Sequence, residues 1–273
     1  MITFPNCKIN LGLRVTGKRP DGFHDLETVF YPVPLKDILE INLSPAGVAT
    51  APQFHCSGIP IPGDSANNLC VKAWLLLNRD FPEMPPARMH LHKVIPIGAG
   101  LGGGSSDGAH ALILINKILG LGLSTPRLLE YALQLGSDCP FFIANKPAMA
   151  TGRGEQLNDL NLDLAGFYLV LIFPGIHIDT GWAFSQIVPK QATIPLVSII
   201  NKPVASWRNE LINDFETPVF KAHPQLAEIK DRLYDAGADY AGMTGTGSAI
   251  AGLFAQKPAG LPASLAGYFG IFL

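Results

Sequence analysis

The chain has 273 residues, enough for one large domain or two modest ones and for a packed core that needs no disulfide or metal staple. Apolar residues make up 48% and charged residues only 15%, a balance that argues against intrinsic disorder. The formal net charge of −2 leaves no basic excess, which argues against a nucleic-acid backbone as the main partner. Residues 7–15 alternate apolar with polar or small side chains, which predicts a strand with one buried face. The turn chemistry of Lys18-Arg19-Pro20-Asp21-Gly22 separates it from a second strand at 26–32, and a third follows at 37–43. Residues 69–78 are an amphipathic helical run with Asn67 or Asn68 as N-cap. A proline-broken loop at 81–86 leads to a strand at 88–94. The glycine-rich segment 98–104 runs into helical patterns at 109–119 and 126–135, the second capped by Ser124 or Thr125. Residues 136–140 interrupt before the apolar 141–144.

The stretch 145–165 is polar and turn-rich, and a boundary between two domains, 1–150 and 160–273, is placed there. Beyond it, 167–173 reads as a buried strand, 174–181 as a loop, and 206–216 and 224–236 as helices. A second glycine-rich turn at 242–248 leads into a strand at 249–254. Helices and strands mix without regular βαβ alternation, which gives an α+β class. The four cysteines, Cys7, Cys56, Cys70 and Cys139, show no CxxC spacing and read as small buried hydrophobes in a reducing compartment. The first eight residues lack a signal-peptide pattern and no run of 18 apolar residues occurs, so the expected setting is the cytosol, with no membrane partner.

Pro96-Ile97-Gly98-Ala99-Gly100-Leu101-Gly102-Gly103-Gly104-Ser105-Ser106 is the most informative segment. Five glycines in seven residues carry a heavy entropic cost, which makes sense where backbone must curl and approach a ligand closely. Between a strand and a helix, its N–H groups would face an anion at the positive end of the helix dipole. Ser105 and Ser106 add hydroxyls suited to phosphate oxygens or a Mg2+ shell. The segment therefore reads as a phosphate cradle, with a flexible loop or tight strand–helix junction as the plainer alternative. Gly98, Gly100 and Gly103 also fit a dinucleotide fingerprint, but residues 120–125 supply no acid at the required spacing. No Gly-Lys-Ser/Thr triplet makes a Walker A loop.

Lys8 lies inside the apolar first strand, where it either snorkels to the surface or points into a polar site. Asp138, between Gly136 and Pro140, is by itself a turn or capping aspartate. Together they point to proton-transfer chemistry. A carboxylate beside a hydroxyl can take its proton, and a nearby ammonium keeps that carboxylate ionised and lowers the hydroxyl's pKa. Lys93, just before the glycine segment, could reach phosphate oxygens or could be an ordinary exposed strand residue.

Six stretches, in order along nearly the whole chain, resemble the GHMP kinase superfamily: residues 5–11, 19–28, 96–107, 135–140, 213–216 and 243–248. The Asp21-Gly22-Phe23-His24 block is similar to the branch whose acceptor carries a cytidyl diphosphate rather than to mevalonate or homoserine kinases. The resemblance implies a ribosomal-S5-like N-terminal domain (1–150) and a ferredoxin-like C-terminal domain (160–273), with substrates bound between them. It implies transfer of the ATP γ-phosphoryl group, with Mg2+, to the tertiary 2-hydroxyl of a methylerythritol unit in non-mevalonate isoprenoid synthesis. Asp138 matches the catalytic base, Lys8 the lysine paired with it, and Asn10 a polar residue at the acceptor end. Residues 96–106 match the ATP phosphate loop, Lys93 an ATP-side lysine and Asn68 the adenine-side segment. Phe23 and His24 match a cytosine-recognition pair. Phe184 aligns with a second aromatic that closes the base sandwich, and Thr180 with a polar contact in the same loop. Without the resemblance Phe23 and Phe184 would read as core and His24 as a structural histidine. The turn holding Thr244 and Gly245 resembles the superfamily's third motif, which flanks acceptor and phosphates; otherwise it is a plain glycine-rich turn. Phe23 stands where tyrosine is commoner, Cys7 where alanine is, and Asn6 where proline is; none of these removes a reacting group. The expected partners are thus small molecules. A GHMP kinase for homoserine, mevalonate or a sugar, or a non-catalytic module on the same fold, are the alternatives. The reading rests on Lys8 and Asp138 meeting beside the mouth of the glycine turn.

Overall fold

A computed structural model describes residues 1–44, 52–261, 265 and 268–273. In chain order its elements begin with β1 (Ile2–Thr3), β2 (Asn6–Lys18), β3 (His24–Lys36), β4 (Ile38–Leu43), β5 (Gln53–Gly58), α1 (Leu69–Asp80), β6 (Ala87–Lys93), α2 (Gly103–Leu119), α3 (Thr125–Leu135) and α4 (Cys139–Ala144). They continue with β7 (Ala148–Gly152), β8 (Gln156–Asp159), β9 (Tyr168–Ile172), α5 (Thr180–Ser185), α6 (Leu196–Ile200), α7 (Glu216–Ala222), α8 (Pro224–Asp235), β10 (Tyr240–Met243), β11 (Ile250–Phe254) and β12 (Phe269–Phe272). Two compact units draw on interleaved stretches of chain. The first comprises Met1–Cys7, Leu35–Ile97 and Gly102–Lys146, and the second Lys8–Pro34, Gly98–Leu101 and Pro147–Leu273.

In the first unit, one sheet runs in the order β1-β4-β6-β5, antiparallel except for the parallel β5–β6 pair. Helix α2 packs on β4 and touches α1, α3 and α4. The apolar stripe expected of α1 is buried through Cys70, Val71, Ala73, Trp74 and Leu77. Asn68 is its N-cap, as predicted: its Oδ1 accepts the Cys70 N–H at 2.9 Å. Helix α2 begins at Gly103, six residues before the apolar pattern at 109, because glycines and serines that form a first turn leave no hydrophobic period to read.

The second unit holds two sheets, β2-β3-β7-β8 and β10-β11-β9-β12. The unbroken apolar run predicted near 167–173 is β9, buried at every position. Val15, Val170, Ile172, Phe215, Leu226, Leu233 and Phe254 share its core, each such side chain contributing about 1.5–3 kcal/mol on burial. Three features differ from the pattern. Strand β2 is buried on both faces through residue 13, not one, because its polar side chains are covered rather than solvated. The polar 145–165 stretch contains the β7–β8 hairpin. Residues 206–216 are not one helix. A 3-10 turn ends at Asn209, Asn213 bridges Leu13, and the Val15 N–H donates to Asp214 Oδ2 at 2.8 Å before α7 starts. Polar side chains that bond the backbone of a strand compete with helix continuation.

Candidate active site

Strand β2 projects Lys8 and Asn10, two residues apart, from one face. Lys8 is 3% exposed, so its stem does not snorkel. Its Nζ donates to Asn10 Oδ1 at 2.5 Å and to Gly100 O at 3.2 Å, and lies 4.9 Å from the centre of the Phe30 ring. Asn10 Oδ1 also accepts the Gly245 N–H at 3.0 Å. The other end of the amide donates to Thr28 Oγ1 at 2.9 Å, whose hydroxyl donates to Gly12 O at 2.5 Å. Thr28 therefore fixes which way the Asn10 amide faces and keeps its oxygen toward the ammonium. Thr244 Oγ1 accepts the Asn10 N–H at 2.9 Å and donates to Gly100 O at 3.0 Å. Gly100 sits at φ +76°, and a Cβ there would lie 2.1 Å from Thr244 O, so only glycine fits. The quoted 213–216 stretch braces the turn after β10. Asn213 Nδ2 donates to Met243 O and Gly245 O, each at 2.8 Å, and Glu216 Oε1 accepts the Met243 N–H.

Elsewhere in the same unit, Phe23 and His24 stand at the start of β3, and Phe184 and Thr180 lie on α5. The His24 and Phe184 rings stack on one another at 4.9 Å and 20°, and Phe184 packs edge-on against Phe215. Phe23 is 53% exposed, which is not a core position, and the Arg153 guanidinium lies 4.9 Å from its ring centre. Thr180 opens α5, with its hydroxyl 3.5 Å from that of Thr246.

In the first unit, α2 starts behind Gly102, an N-cap at φ +69° that makes no side-chain cap bond. A Cβ on Gly103 would press within 2.8 Å of Ile95 Cγ2, whereas one on Gly104 would have nothing within 4 Å. The first turn of this 17-residue helix thus has no side-chain cap and open space beside the exposed Gly104, which leaves room for an anion at its N-terminus. Ser106 is buried, with Oγ 3.3 Å from His110 Nδ1, while Ser105 is partly exposed. Asn68 lines a cavity of about 270 Å³ with Phe54, His55, Cys56, Pro62 and Asn67. Asp138 precedes α4 as its N-cap residue, yet its carboxylate makes no capping bond, which removes the capping alternative. Burial pushes the neighbouring Cys139 thiol up to about 12, against a hydrogen bond with Ser105 that lowers it.

Lys93 is not an exposed strand residue. It is 4% exposed, and its Nζ donates to Asp37 Oδ2 at 2.5 Å and Asp107 Oδ2 at 2.6 Å. Burial opposes its charge, but Asp107 and Asp37 outweigh that and hold the ammonium above the ordinary lysine value. Two carboxylates share one cation, and burial raises Asp107 to about 7; its Oδ1 is buried without a hydrogen-bond partner. An acid whose pKa rises on folding contributes stability that is lost as pH climbs from the unfolded value near 3.8 through about 7. Asp107→Asn removes that loss. Its melting temperature relative to wild type should rise between pH 5 and pH 8, by the equivalent of on the order of 1–2 kcal/mol. A difference that stays constant in thermal melts across that range would show the carboxyl ionised throughout.

Lys8, Asn10, Gly100, Thr244 and Gly245 thus converge in one unit, and Asn68, Lys93, the start of α2 and Asp138 are built into the other. Sequence reasoning missed Asp37, Asp107, Thr28 and Arg153. Asp107 directly follows Ser105-Ser106 and Thr28 ends the 19–28 stretch, so both carried a signal; Asp37 and Arg153 carried none. Among the described residues no cluster of three His, Cys, Asp or Glu could hold a metal, and no helix is long and apolar enough to cross a membrane.

The GHMP kinases N terminal domain model matches residues 68–146, and the GHMP kinases C terminal model matches residues 200–263. The chain is 50% identical over 260 residues to 4-diphosphocytidyl-2-C-methyl-D-erythritol kinase of Bacteroides fragilis, covering 94% of this chain and 93% of that one. Its identity to the kinase of the same name from Cytophaga hutchinsonii is 45% over 259 residues, covering 94% of each chain. A crystal structure of 4-(cytidine 5'-diphospho)-2C-methyl-D-erythritol kinase superposes with a TM-score of 0.79 at 32% identity, covering 93% of this chain and 90% of that one. Homoserine kinase of Cytophaga hutchinsonii shares the fold alone, with a TM-score of 0.65 at 17% identity over 93% of this chain and 86% of that one.

Proposed function

Because this chain belongs to the 4-diphosphocytidyl-2-C-methyl-D-erythritol kinase family of the GHMP kinases, we propose that it transfers the γ-phosphoryl group of ATP to the 2-hydroxyl of 4-diphosphocytidyl-2-C-methyl-D-erythritol. The observation that carries this reading is the buried Lys8 ammonium, oriented by Asn10 and bonded to the Gly100 carbonyl of the glycine segment. A solvated lysine would have no reason to be held there.

In this reading residues 1–150 supply the ATP loop, the lysine and the base, and 160–273 form the second functional domain. The N–H groups of residues 98–104 and the first turn of α2 hold the β- and γ-phosphates, with Pro96, Ile97, Ser105 and Ser106 completing the loop. Asn68 serves the adenine side, and Lys93 is an ATP-side lysine beneath the first turn of α2. Asp138 takes the proton of the 2-hydroxyl as the oxygen–phosphorus bond forms and ADP leaves. Lys8 shapes the local field at the acceptor hydroxyl and lowers the cost of its ionisation. Asn10, Thr244 and Gly245 flank the acceptor; Phe23, His24, Phe184 and Thr180 recognise the cytidyl group. Mg2+ carried in on ATP would meet from this chain the partly exposed Ser105 hydroxyl, and would supply neutralisation of the phosphate charge. The reaction belongs to non-mevalonate isoprenoid precursor synthesis, in the cytosol.

The test is ATP turnover against an alcohol panel. The cytidyl-linked polyol should be phosphorylated, with competition by CDP and CMP, and homoserine, mevalonate and free sugars should not be. Turnover of one of those in preference, insensitive to CDP, would move the chain to another acceptor; no turnover with any would favour a binding module.

A further inference from the structure

Asp37 is the single residue between β3 and β4, it is fully buried, and no role above uses it. Its own N–H donates to Pro5 O at 2.8 Å. Oδ1 of its carboxylate accepts two consecutive backbone donors, the Val94 N–H at 2.6 Å and the Ile95 N–H at 2.8 Å. Strand β6 ends at Lys93, so these are the first two residues of the path into the glycine segment. One oxygen gathering both N–H groups turns the chain out of its ladder and fixes the angle at which it leaves. Oδ2 takes Lys93 Nζ at 2.5 Å, and that ammonium reaches on to Asp107 Oδ2 at 2.6 Å in α2. Lys93 Nζ also lies 3.1 Å from where a Cβ on Gly103 would stand, directly under the first turn. A single carboxylate therefore ties the entry of the glycine segment by its backbone and the exit through one lysine.

Five glycines make this segment expensive to order, and a nucleotide that had to order it would bind more weakly. We propose that Asp37 is a positioning residue for nucleotide binding: it sets both ends of the 98–104 segment before ATP arrives, so that the phosphate-binding N–H groups are already aimed. The inference rests on the assignment of that segment to ATP made above.

Asp37→Asn tests it selectively. Asparagine keeps an oxygen for Val94 and Ile95 but can place its NH2 group against the Lys93 ammonium, donor against donor, which breaks the link to α2 alone. By calorimetry, the Kd of Asp37→Asn for Mg·AMP-PNP should rise about tenfold, the effect of losing one charged hydrogen bond. The Kd for CDP should move less than about twofold, since only the nucleotide loop is disturbed, and kcat at saturating ATP should stay within about threefold. An unchanged Kd for AMP-PNP overturns the proposal. So does an equal fall in AMP-PNP and CDP affinity, which is what a plain loss of core stability would give. A second measurement uses wild type, in case the variant does not fold. Hydrogen exchange at Val94 and Ile95 should be slow without nucleotide and unaltered by AMP-PNP; amides that exchange fast until AMP-PNP protects them would show that the ligand, not Asp37, orders the loop. Wild type that binds no AMP-PNP at all would overturn the ATP assignment itself, and this inference with it.

Discussion

Asp138→Asn should lower kcat by about 10²–10⁴-fold at saturating ATP and acceptor, the range a general base contributes. The substitution keeps shape and hydrogen-bonding reach but removes proton affinity, so it separates acceptance of the proton from mere orientation of the hydroxyl. The geometry makes Asp138 suitable for this test. It is half-buried at the start of α4 and makes no helix-capping bond, so losing its charge costs the helix no capping hydrogen bond. Gly136 and Cys139 fix the backbone on either side, the Cys139 N–H donating to Gly136 O at 3.1 Å. Steady-state kinetics should therefore show a loss in kcat with little change in the KM of either substrate, as expected when an interaction is made only in the transition state. A kcat near that of wild type would sink the base assignment. A loss of only about tenfold would make Asp138 an orienting group and leave the Lys8 ammonium as the main electrostatic contributor.

Parts of this site were plain in the amino-acid order and others were not, for identifiable reasons. The alternation at 7–15 announces β2, and the glycine density at 98–104 announces a backbone that must curl. Neither tells that Lys8 is covered. Its partners come from Gly100 and, through Asn10, from Gly245, separations of 92 residues and more. Lys93 is the sharper case. Its place at the end of a strand fits an exposed residue, and its burial depends on Asp37, 56 residues earlier, and Asp107, 14 later. A lone Asp before a strand carries no periodic signal. The 206–216 pattern failed differently: its apolar spacing is helical, but Asn213 and Asp214 bond the Met243 and Gly245 carbonyls and the Val15 N–H, and the chain is pulled out of helix to make those bonds. Asn213 and Glu216 were picked out only within the resemblance; their bonds show that they brace the 244–248 turn.

Phe23→Ala with His24→Ala should raise KM for the cytidyl substrate by about 10–10²-fold while KM for ATP changes by less than about threefold, because stacking contributes about 1–3 kcal/mol per base. Phe23 presents an aromatic face at 53% exposure, a cost no core position would carry. Its ring already holds the Arg153 guanidinium at 4.9 Å, so it sits in a cationic setting suited to a base that carries a diphosphate. His24 lies flat on Phe184, and Phe184 is in turn held edge-on by Phe215, so the pair is braced from behind by a fully buried ring. Removing both aromatic faces leaves Phe184 without its stacking partner but leaves Phe215 and the β9 core in place. The variant should therefore stay folded and lose affinity at one end only. Inhibition by CMP, which carries the base without the polyol, should weaken by the same factor as the substrate's KM, since both losses come from the base. If KM for ATP rises instead, or CMP inhibits the variant as well as it does wild type, the cytidyl group is read elsewhere on the molecule.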